Sequence, residues 1–226
     1  MIFSRITLKG GINLSEHFWA SASSQDYALH QTVWDFFRKK EPGRDFLFRT
    51  GKMNENPVIY AVSQRRPFIS ENSSWYVDAK LYDPVIAAGE RLYFSLRVSA
   101  CKKRYEENGR LKKTDIVIAK KRMIGRELPP GKMPPNQEIA HMAASEWMKR
   151  QGETNGFVLL DFQVTKHDWN EFYKKNPKGT HKISFPTLDL DGLLRVVSPE
   201  DFRKMLFKGI GAARSFGCGL MLVRRI

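Results

Sequence analysis

The sequence predicts an α+β protein made of two consecutive units, the second in the order β-α-β-β-α-β and the first in the same order with a loop in place of its second helix. Short apolar stretches with strand-like alternation recur along the chain, and segments with helical spacing separate them in both halves. A length of 226 residues is sufficient for two small domains that each bury a core. This element order is that of a ferredoxin-like, or RRM-like, domain, so we expect two such domains in tandem.

The first unit, residues 1–88, is expected to begin with a strand at Ile2–Lys9. Ser23 or Ser24 can cap a helix that runs to about Lys39. Further strands are expected at 46–48, 58–62 and 75–81. A polar loop at 66–74 stands where the second helix of the unit would be.

The second unit, residues 89–226, follows a linker that starts at Asp83-Pro84. We expect a strand at 92–98, a basic insertion at 102–126 with a turn at Asn108-Gly109, and an extended segment at 128–135. There follow a helix at 136–150, a strand at 156–165, a hairpin at 183–197 that turns at Asp191-Gly192, and a helix from Ser198 to Gly209. Serine at the cap and proline at the next position favour that last helix.

Charge points to a polyanionic partner. The chain holds 38 Lys and Arg against 24 Asp and Glu, a formal net charge of +14. Residues 102–126 alone carry ten basic and three acidic side chains. Nucleic acid is the leading candidate, because the rival, a membrane-surface protein, would need a long basic amphipathic helix that is not found.

Several basic side chains are candidates for contact with RNA phosphates. They are Arg97, Lys102, Lys103, Arg104, Lys174, Lys175, Lys178 and Lys182. The four lysines between 174 and 182 are chosen from charge alone. A solvated surface is the ordinary alternative for any one such run.

A glycine-rich segment closes the second unit. Its glycines are Gly209, Gly211, Gly217 and Gly219. Arg214, Ser215 and Phe216 lie between them, and the strand-like run 220–223 follows. Glycine permits positive φ and close approach of the backbone, successive N–H groups can cradle an anion, and arginine binds phosphate with a planar fork. We therefore expect the loop to bind RNA, with Phe216 able to stack on a base; a plain turn before a closing strand is the alternative.

His30 and Tyr27 are the candidate catalytic residues. They lie three positions apart, so on a helix they share a face, and Trp34 lies along the same edge. Histidine suits proton transfer near neutral pH, and tyrosine could orient a phosphate or a ribose hydroxyl. Residues of both types on helix boundaries are common and usually inert. No histidine or cysteine spacing suggests a metal ligand set, and no cofactor is expected.

The amino terminus alternates like a strand and has no apolar block of the signal-peptide kind. No run is long enough to span a bilayer, and only Cys101 and Cys218 are present. We expect a cytoplasmic protein with reduced thiols and no membrane partner.

Four stretches, in order and across nearly the whole chain, resemble the type I-E CRISPR repeat-processing endoribonucleases, the CasE family of the RAMP group. They are the helix Tyr27-Ala-Leu-His30-Gln-Thr-Val-Trp34, the strand Arg44-Asp-Phe-Leu-Phe48, the strand Leu92-Tyr-Phe-Ser-Leu-Arg97 and the loop Gly209–Leu220. The segments near 13–23 and 123–137 depart from the family pattern, so we expect the contacts that hold the RNA hairpin to differ there.

The resemblance implies binding of the CRISPR repeat stem-loop and cleavage of precursor CRISPR RNA at the 3′ base of the stem. The cleavage it implies needs no metal: the 2′-OH attacks the adjacent phosphate and leaves a 2′,3′-cyclic phosphate. His30 matches the family's general acid or base, and Tyr27 a tyrosine of some members. The partners implied are the other subunits of the Cascade surveillance complex, the backbone subunit foremost. The donor that stabilises the phosphate stays open among Lys39, Lys40, Lys102 and Lys103.

Two other functions fit the same sequence. One is a catalytically silent RNA-binding subunit of the same fold, which would bind the hairpin and leave it uncut. The other is a basic ribosomal-type or scaffold protein with no preference for a hairpin, which unrelated RNA would compete away.

Overall fold

The computed structural model describes residues 1–9, 25–38, 44–53, 56–105, 108–109, 111–129, 131–176 and 179–226. Within α1, β6, β8 and β9 the backbone alone is described for residues 25–29, 103–104, 172–176 and 179–181. The predicted helix cap at Ser23 or Ser24 therefore lies outside the described residues, as do Lys39 and Lys40.

The described chain forms ten strands, four α-helices and one 3₁₀ turn. The strands are β1 (Ile2–Leu8), β2 (Phe46–Met53), β3 (Asn56–Ser63), β4 (Trp75–Leu81), β5 (Arg91–Val98), β6 (Cys101–Tyr105), β7 (Leu111–Asp115), β8 (Phe157–Asn176), β9 (Gly179–Val196) and β10 (Met221–Arg225). The helices are α1 (Gln25–Phe36), α2 (Ile116–Glu127), α3 (Asn136–Asn155) and α4 (Pro199–Lys208), and the 3₁₀ turn is Arg214–Phe216.

The first sheet is antiparallel, with the strand order β2-β3-β1-β4. Helix α1 packs on one face of it, because its apolar side chains meet those that alternate inward from the strands. The buried cluster between them includes Ile6, Val33, Phe48, Ile59 and Trp75. No second helix covers this sheet within the described residues, as the polar segment 66–74 predicted.

The second sheet repeats the same pattern, with the order β10-β5-β9-β8. Helices α3 and α4 supply its core together with the strands. Members of that core are Leu96, Ile139, Met148, Leu190 and Phe202. Because both sheets follow the ferredoxin-like order, the predicted fold class of two tandem ferredoxin-like units is confirmed.

The basic insertion is a hairpin followed by a helix. Strands β6 and β7 pair on either side of the predicted turn at Asn108-Gly109. Helix α2 then begins directly, because the Asp115 carboxylate accepts the Ile118 N–H at 2.8 Å and caps it. The sequence did not predict α2, since a β-branched run at its start favours a strand.

The predicted hairpin turn at Asp191-Gly192 is wrong. Strand β9 runs unbroken through both residues and pairs with β5 on one side and β8 on the other. A β-carbon on Gly192 would lie 2.3 Å from the carbonyl oxygen of Asp161, next to an irregularity in β8 between Leu159 and Asp161. Glycine is present there so that β8 can approach closely, which is the other common meaning of glycine in a strand.

The two sheets meet through a small apolar cluster and a polar contact. Leu47 and Val62 of the first sheet pack with Leu220 just before β10. Arg49 of β2 donates a hydrogen bond to the Ser95 hydroxyl of β5 at 2.9 Å. These contacts bring the carboxyl-terminal glycine loop against β2 and α1.

Candidate active site and nucleic-acid interface

His30 lies where α1 meets the carboxyl-terminal loop. Its ring stacks on Phe216, with 4.7 Å between ring centroids and 18° between planes, and lies 6.2 Å from Phe48. Trp34, one helical turn later, is 6.0 Å from His30 and donates its indole N–H to the Ser215 carbonyl at 3.4 Å. The structure thus brings His30 together with the predicted loop residues Ser215 and Phe216.

Tyr27 is placed by its backbone alone. It lies in α1 three residues before His30, so the two share a helix face as predicted. Its role stays a prediction.

A small cavity of about 20 Å³ lies beside His30. It is lined by His30, Phe48, Thr50, Arg97, Asn170, Phe185, Thr187, Phe216 and Cys218. Phe185 and Phe216 lie 5.2 Å apart and narrow the space. Its volume is that of about one water molecule, so a phosphate group does not fit inside it, although His30 itself is partly exposed.

Arg97 is held rigidly in the wall of this cavity. Its guanidinium makes two hydrogen bonds to the Asp189 carboxylate, at 2.7 and 2.8 Å. Burial lowers the pKa of the neighbouring Arg49 while the charge of Asp189 opposes that effect. The predicted RNA ligand Arg97 is therefore already half of an ion pair, which orients its fork and offsets its charge.

The loop glycines have the backbone that the sequence predicted, since φ is +71° at Gly209, +76° at Gly211, +81° at Gly217 and +86° at Gly219. Their close contacts are with the chain itself. A β-carbon on Gly211 would lie 2.4 Å from Val98 Cγ2, and one on Gly219 would lie 2.4 Å from the Ile210 carbonyl. Packing within the protein thus accounts for glycine at these two positions.

At least five of the loop's N–H groups are used inside the protein. Backbone carbonyls accept them at 2.7 to 3.1 Å: Gly209 donates to Met205, Ile210 to Gly219, Ala212 to Ser99, Phe216 to Ala213 and Gly219 to Arg97. The predicted cradle of N–H groups for an anion would have to be formed by the others. Arg214 donates to the Lys208 carbonyl at 2.9 Å and so closes the end of α4.

Comparison with known proteins decides the family. The family model described as "CRISPR associated protein" matches residues 1–225. The chain belongs to the CRISPR-associated protein family. This membership confirms the resemblance given by the four sequence stretches.

Relatives in this family share modest sequence identity over nearly full length. The chain is 27% identical over 218 residues to the CRISPR system Cascade subunit CasE of Escherichia coli, covering 92% of this chain and 96% of that protein. It is 24% identical over 212 residues to the CRISPR-associated endoribonuclease Cse3 of Thermus thermophilus, covering 87% and 89%. A solved structure of Cse3 bound to a 19-nucleotide RNA has a TM-score of 0.69 at 22% identity, covering 99% of this chain and 100% of that one, which shows a shared fold.

Apart from Arg97 of β5, the predicted basic residues that the structure describes in this CRISPR-associated protein lie on two hairpins. Lys102 is exposed on β6, where Lys103 and Arg104 pair across the ladder with β7. Lys182 on β9 forms an ion pair with Glu171 of β8 at 2.7 Å. Lys174 and Lys175 are in β8, and Lys178 lies outside the described residues. None of these side chains lines the His30 cavity as far as the structure describes it.

Sequence reasoning missed several residues of the site. Asn170 donates to the Thr187 hydroxyl at 2.8 Å beside His30, and Asp189 fixes Arg97. Phe185 closes the cavity, and Arg44 lines a larger one behind the loop. Alternate positions in the first strand of the hairpin predicted at 183–197 could have indicated Phe185, Thr187 and Asp189.

Within the described ranges, no three His, Cys, Asp or Glu side chains come together as ligands of a metal ion would. Among the helices that the structure describes, none has the length and apolar character needed to cross a membrane.

Proposed function

We propose that this chain is an endoribonuclease that binds the stem-loop of a CRISPR repeat and cuts precursor CRISPR RNA at the 3′ base of the stem. The observation that carries the proposal is the position of His30 on α1, against the glycine loop and with Arg97 in the wall of the same cavity. Family membership and relatives named as endoribonuclease and as Cascade subunit support it.

The proposed reaction draws its nucleophile from the RNA. The 2′-oxygen forms a bond to the adjacent phosphorus, the bond from phosphorus to the 5′-oxygen breaks, and the products are a 2′,3′-cyclic phosphate and a 5′-OH. A proton leaves the 2′-OH and one reaches the 5′-oxygen, and His30 exchanges protons at one or both places. Because the nucleophile is already within the substrate, the step as proposed does not require a metal-bound water.

Fixed polar groups near His30 suit the charge that develops on the phosphate. The Arg97 guanidinium is oriented by Asp189, and the Asn170 amide and Thr187 hydroxyl lie in the same wall. Donors fixed in advance stabilise a transition state more than mobile ones do. We propose Arg97 as the donor, in place of the lysines that the sequence left open.

The basic hairpins β6–β7 and β8–β9 are proposed to hold the RNA by its phosphates. A-form RNA has a deep, narrow major groove, so shape and phosphate contacts are expected to dominate binding to the stem. The chain is further proposed to stay on its product within Cascade, against the backbone subunit. The division into units at residues 1–88 and 89–226 belongs to the same proposal.

His30→Ala is expected to slow cleavage of the repeat RNA by about 10²- to 10⁴-fold with little change in its Kd, because the residue moves protons and the phosphates are held mainly elsewhere. Tyr27→Phe should have a smaller effect. His141→Ala is the matched control, since His141 stacks on Phe162 at 4.5 Å and 11° outside the site. Single-turnover cleavage and filter binding measure both quantities. Full activity in His30→Ala would remove His30 from the mechanism.

The nucleophile and metal independence are tested on the RNA. An RNA with one 2′-deoxy sugar immediately 5′ of the scissile phosphate should bind and stay uncut, while EDTA should leave cleavage of native RNA intact. Efficient cutting of the deoxy RNA would rule out attack by the 2′-OH.

One observation favours the catalytically silent subunit as a second candidate. The cavity at His30 has room for about one water molecule, and the His30 ring is stacked on Phe216. If the rings stay closed when RNA binds, the protein holds the hairpin without cutting it. Tight binding of the repeat RNA with no product in the wild-type protein would establish this function.

A further inference from the structure

A second cavity, of about 540 Å³, lies on the other side of the glycine loop from His30. Arg44 reaches it from just before β2, Lys113 from β7, and Arg214 from the loop itself. Ser99, Trp147 and Gln151 also line it. Among the described residues, its lining contains three cationic side chains and no carboxylate.

One hydrogen-bond donor of Arg44 is not satisfied by the described protein residues. Its Nη1 atom is buried and finds no hydrogen-bond acceptor among the residues that the structure describes. The adjacent carboxylate, Asp45, pairs with Arg65 at 2.8 Å. Burial, and then the like charge of Arg214, lower the pKa of Arg44. A buried guanidinium donor without an acceptor, facing a second guanidinium, is costly unless an anion occupies the space between them.

In the part of the chain that the structure describes, neither nearby carboxylate, Asp45 or Asp115, makes a hydrogen bond to Arg44, although one oxygen of each has no hydrogen-bond partner. Asp115, whose charge acts on Cys101 in the lining, uses its Oδ1 atom to cap α2, and its Oδ2 atom lies 3.5 Å from the His167 ring. Arg214 donates one N–H to the Lys208 carbonyl, and its other guanidinium N–H groups can bind an anion.

The position of this cavity relates it to the cleavage site. Ser215 lines it, whereas the next residue, Phe216, stacks on His30 and lines the other cavity. Consecutive Cα atoms are about 3.8 Å apart, so one turn of the loop separates the two spaces. Because the two cavities adjoin at Ser215 and Phe216, a nucleic-acid strand bound at His30 would pass beside the cavity that Arg44 lines.

We propose that Arg44, Lys113 and Arg214 form a subsite for one backbone phosphate of the RNA, close in the strand to the phosphate that is cut. This inference rests on the proposed endoribonuclease function and adds the residues that fix the register of the strand across the loop. A backbone phosphate supplies the acceptors that the Arg44 fork lacks, and the planar arginine fork suits it better than a lysine would.

The test combines protein and RNA changes. Repeat RNAs that each carry a single neutral methylphosphonate linkage near the cleavage position are titrated against the wild type, Arg44→Gln and the control Arg5→Gln. Arg5 is an exposed arginine that pairs with Asp78 at 3.0 Å. We expect Arg44→Gln to raise the Kd of native RNA about tenfold, the worth of one charge-assisted hydrogen bond. A methylphosphonate at one position should raise the Kd of the wild type and of the control by a similar factor. The same linkage should leave the Kd of Arg44→Gln unchanged.

Stability of the free protein separates this subsite from a structural arginine. Because Arg44 is desolvated and repelled by Arg214, Arg44→Gln should leave the melting temperature unchanged or raise it. Lys113→Gln, at an exposed position, gives a second variant that keeps the fold and should weaken binding through the same linkage.

The subsite is overturned if Arg44→Gln binds native RNA as tightly as the wild type does. It is also overturned if wild type and variant are equally sensitive to every methylphosphonate. In either case, cleavage by the wild type leaves the proposed function standing. A wild-type protein that does not bind the repeat RNA would overturn both. A lower melting temperature in Arg44→Gln with normal RNA affinity would assign Arg44 to the fold instead.

Discussion

Cys218 is fully buried in the glycine loop, next to the groups that surround His30. Burial raises the pKa of its thiol to about 12, well above the value of an exposed cysteine. The thiol therefore stays protonated in the folded protein at pH values where the unfolded chain already ionises. Such a group stabilises the fold fully below the unfolded pKa and loses that contribution as the pH rises toward the folded one.

We expect the free energy of unfolding of the wild type to fall between pH 8 and pH 10 by about 2 kcal/mol more than that of Cys218→Ala, because ionisation of this thiol favours the unfolded chain. Urea titrations at both pH values measure the difference. Parallel declines in the two proteins would show that Cys218 ionises as readily in the fold as outside it.

The sequence predicts a functional residue where local chemistry determines its role. It misses a residue whose role depends on contacts between distant parts of the chain. His30 and the loop glycines carry their own signal, through helix spacing and the need for positive φ. Arg44 and Asp189 look like ordinary charged residues of strands. Only the meeting of β2, β7 and the loop gives Arg44 a cavity, and only pairing of β9 with β5 gives Asp189 its arginine.

Helices and strands were likewise predicted where local patterns determine them and missed where tertiary contacts do. The strands of the first sheet are close to the predicted ranges, because alternation there is set by one buried face. Helix α2 and the unbroken β9 escaped prediction, since β-branched residues and an Asp-Gly pair favour other structures locally. In both cases tertiary pairing overrides the local preference.

The glycine loop as an element is tested by Gly217→Val. Gly217 has φ at +81°, and a β-carbon there would lie 3.2 Å from the Phe48 ring beneath His30. The expected result is a loss of about 1–3 kcal/mol from backbone strain, together with weaker binding of repeat RNA because the loop shifts. Chemical unfolding and RNA titration measure the two effects.

Gly89→Val is the matched control. Gly89 has φ at +84° with nothing within 4 Å of an added β-carbon, so it should lose similar stability and keep its RNA affinity. If folded Gly217→Val binds repeat RNA as Gly89→Val does, the loop serves the fold and not the RNA.

At the scale of the molecule, the net charge of +14 is carried partly by the β6–β7 hairpin. Neutralising Lys102, Lys103 and Arg104 together with glutamine should reduce the slope of log affinity against log salt by about two, as loss of two or three phosphate contacts requires. Binding titrations across a range of salt concentrations give the slope.

The control is a triple variant with the same loss of charge at Lys80, Lys149 and Lys204, three exposed positions on other elements. It should lower affinity slightly and keep the slope. Equal slopes for the wild type and the hairpin variant would mean that the hairpin faces away from the RNA.

The ring stack between His30 and Phe216 has a consequence for the order of folding. It joins a helix near the start of the chain to a loop that follows α4, whereas the β6–β7 hairpin pairs residues only a few positions apart. Contacts between distant residues form later than local ones, because a long loop must close first. A chain that is still folding should therefore attract RNA through its basic hairpin before His30 has packed against Phe216. We expect RNA binding to develop earlier in folding than the proposed cleavage activity.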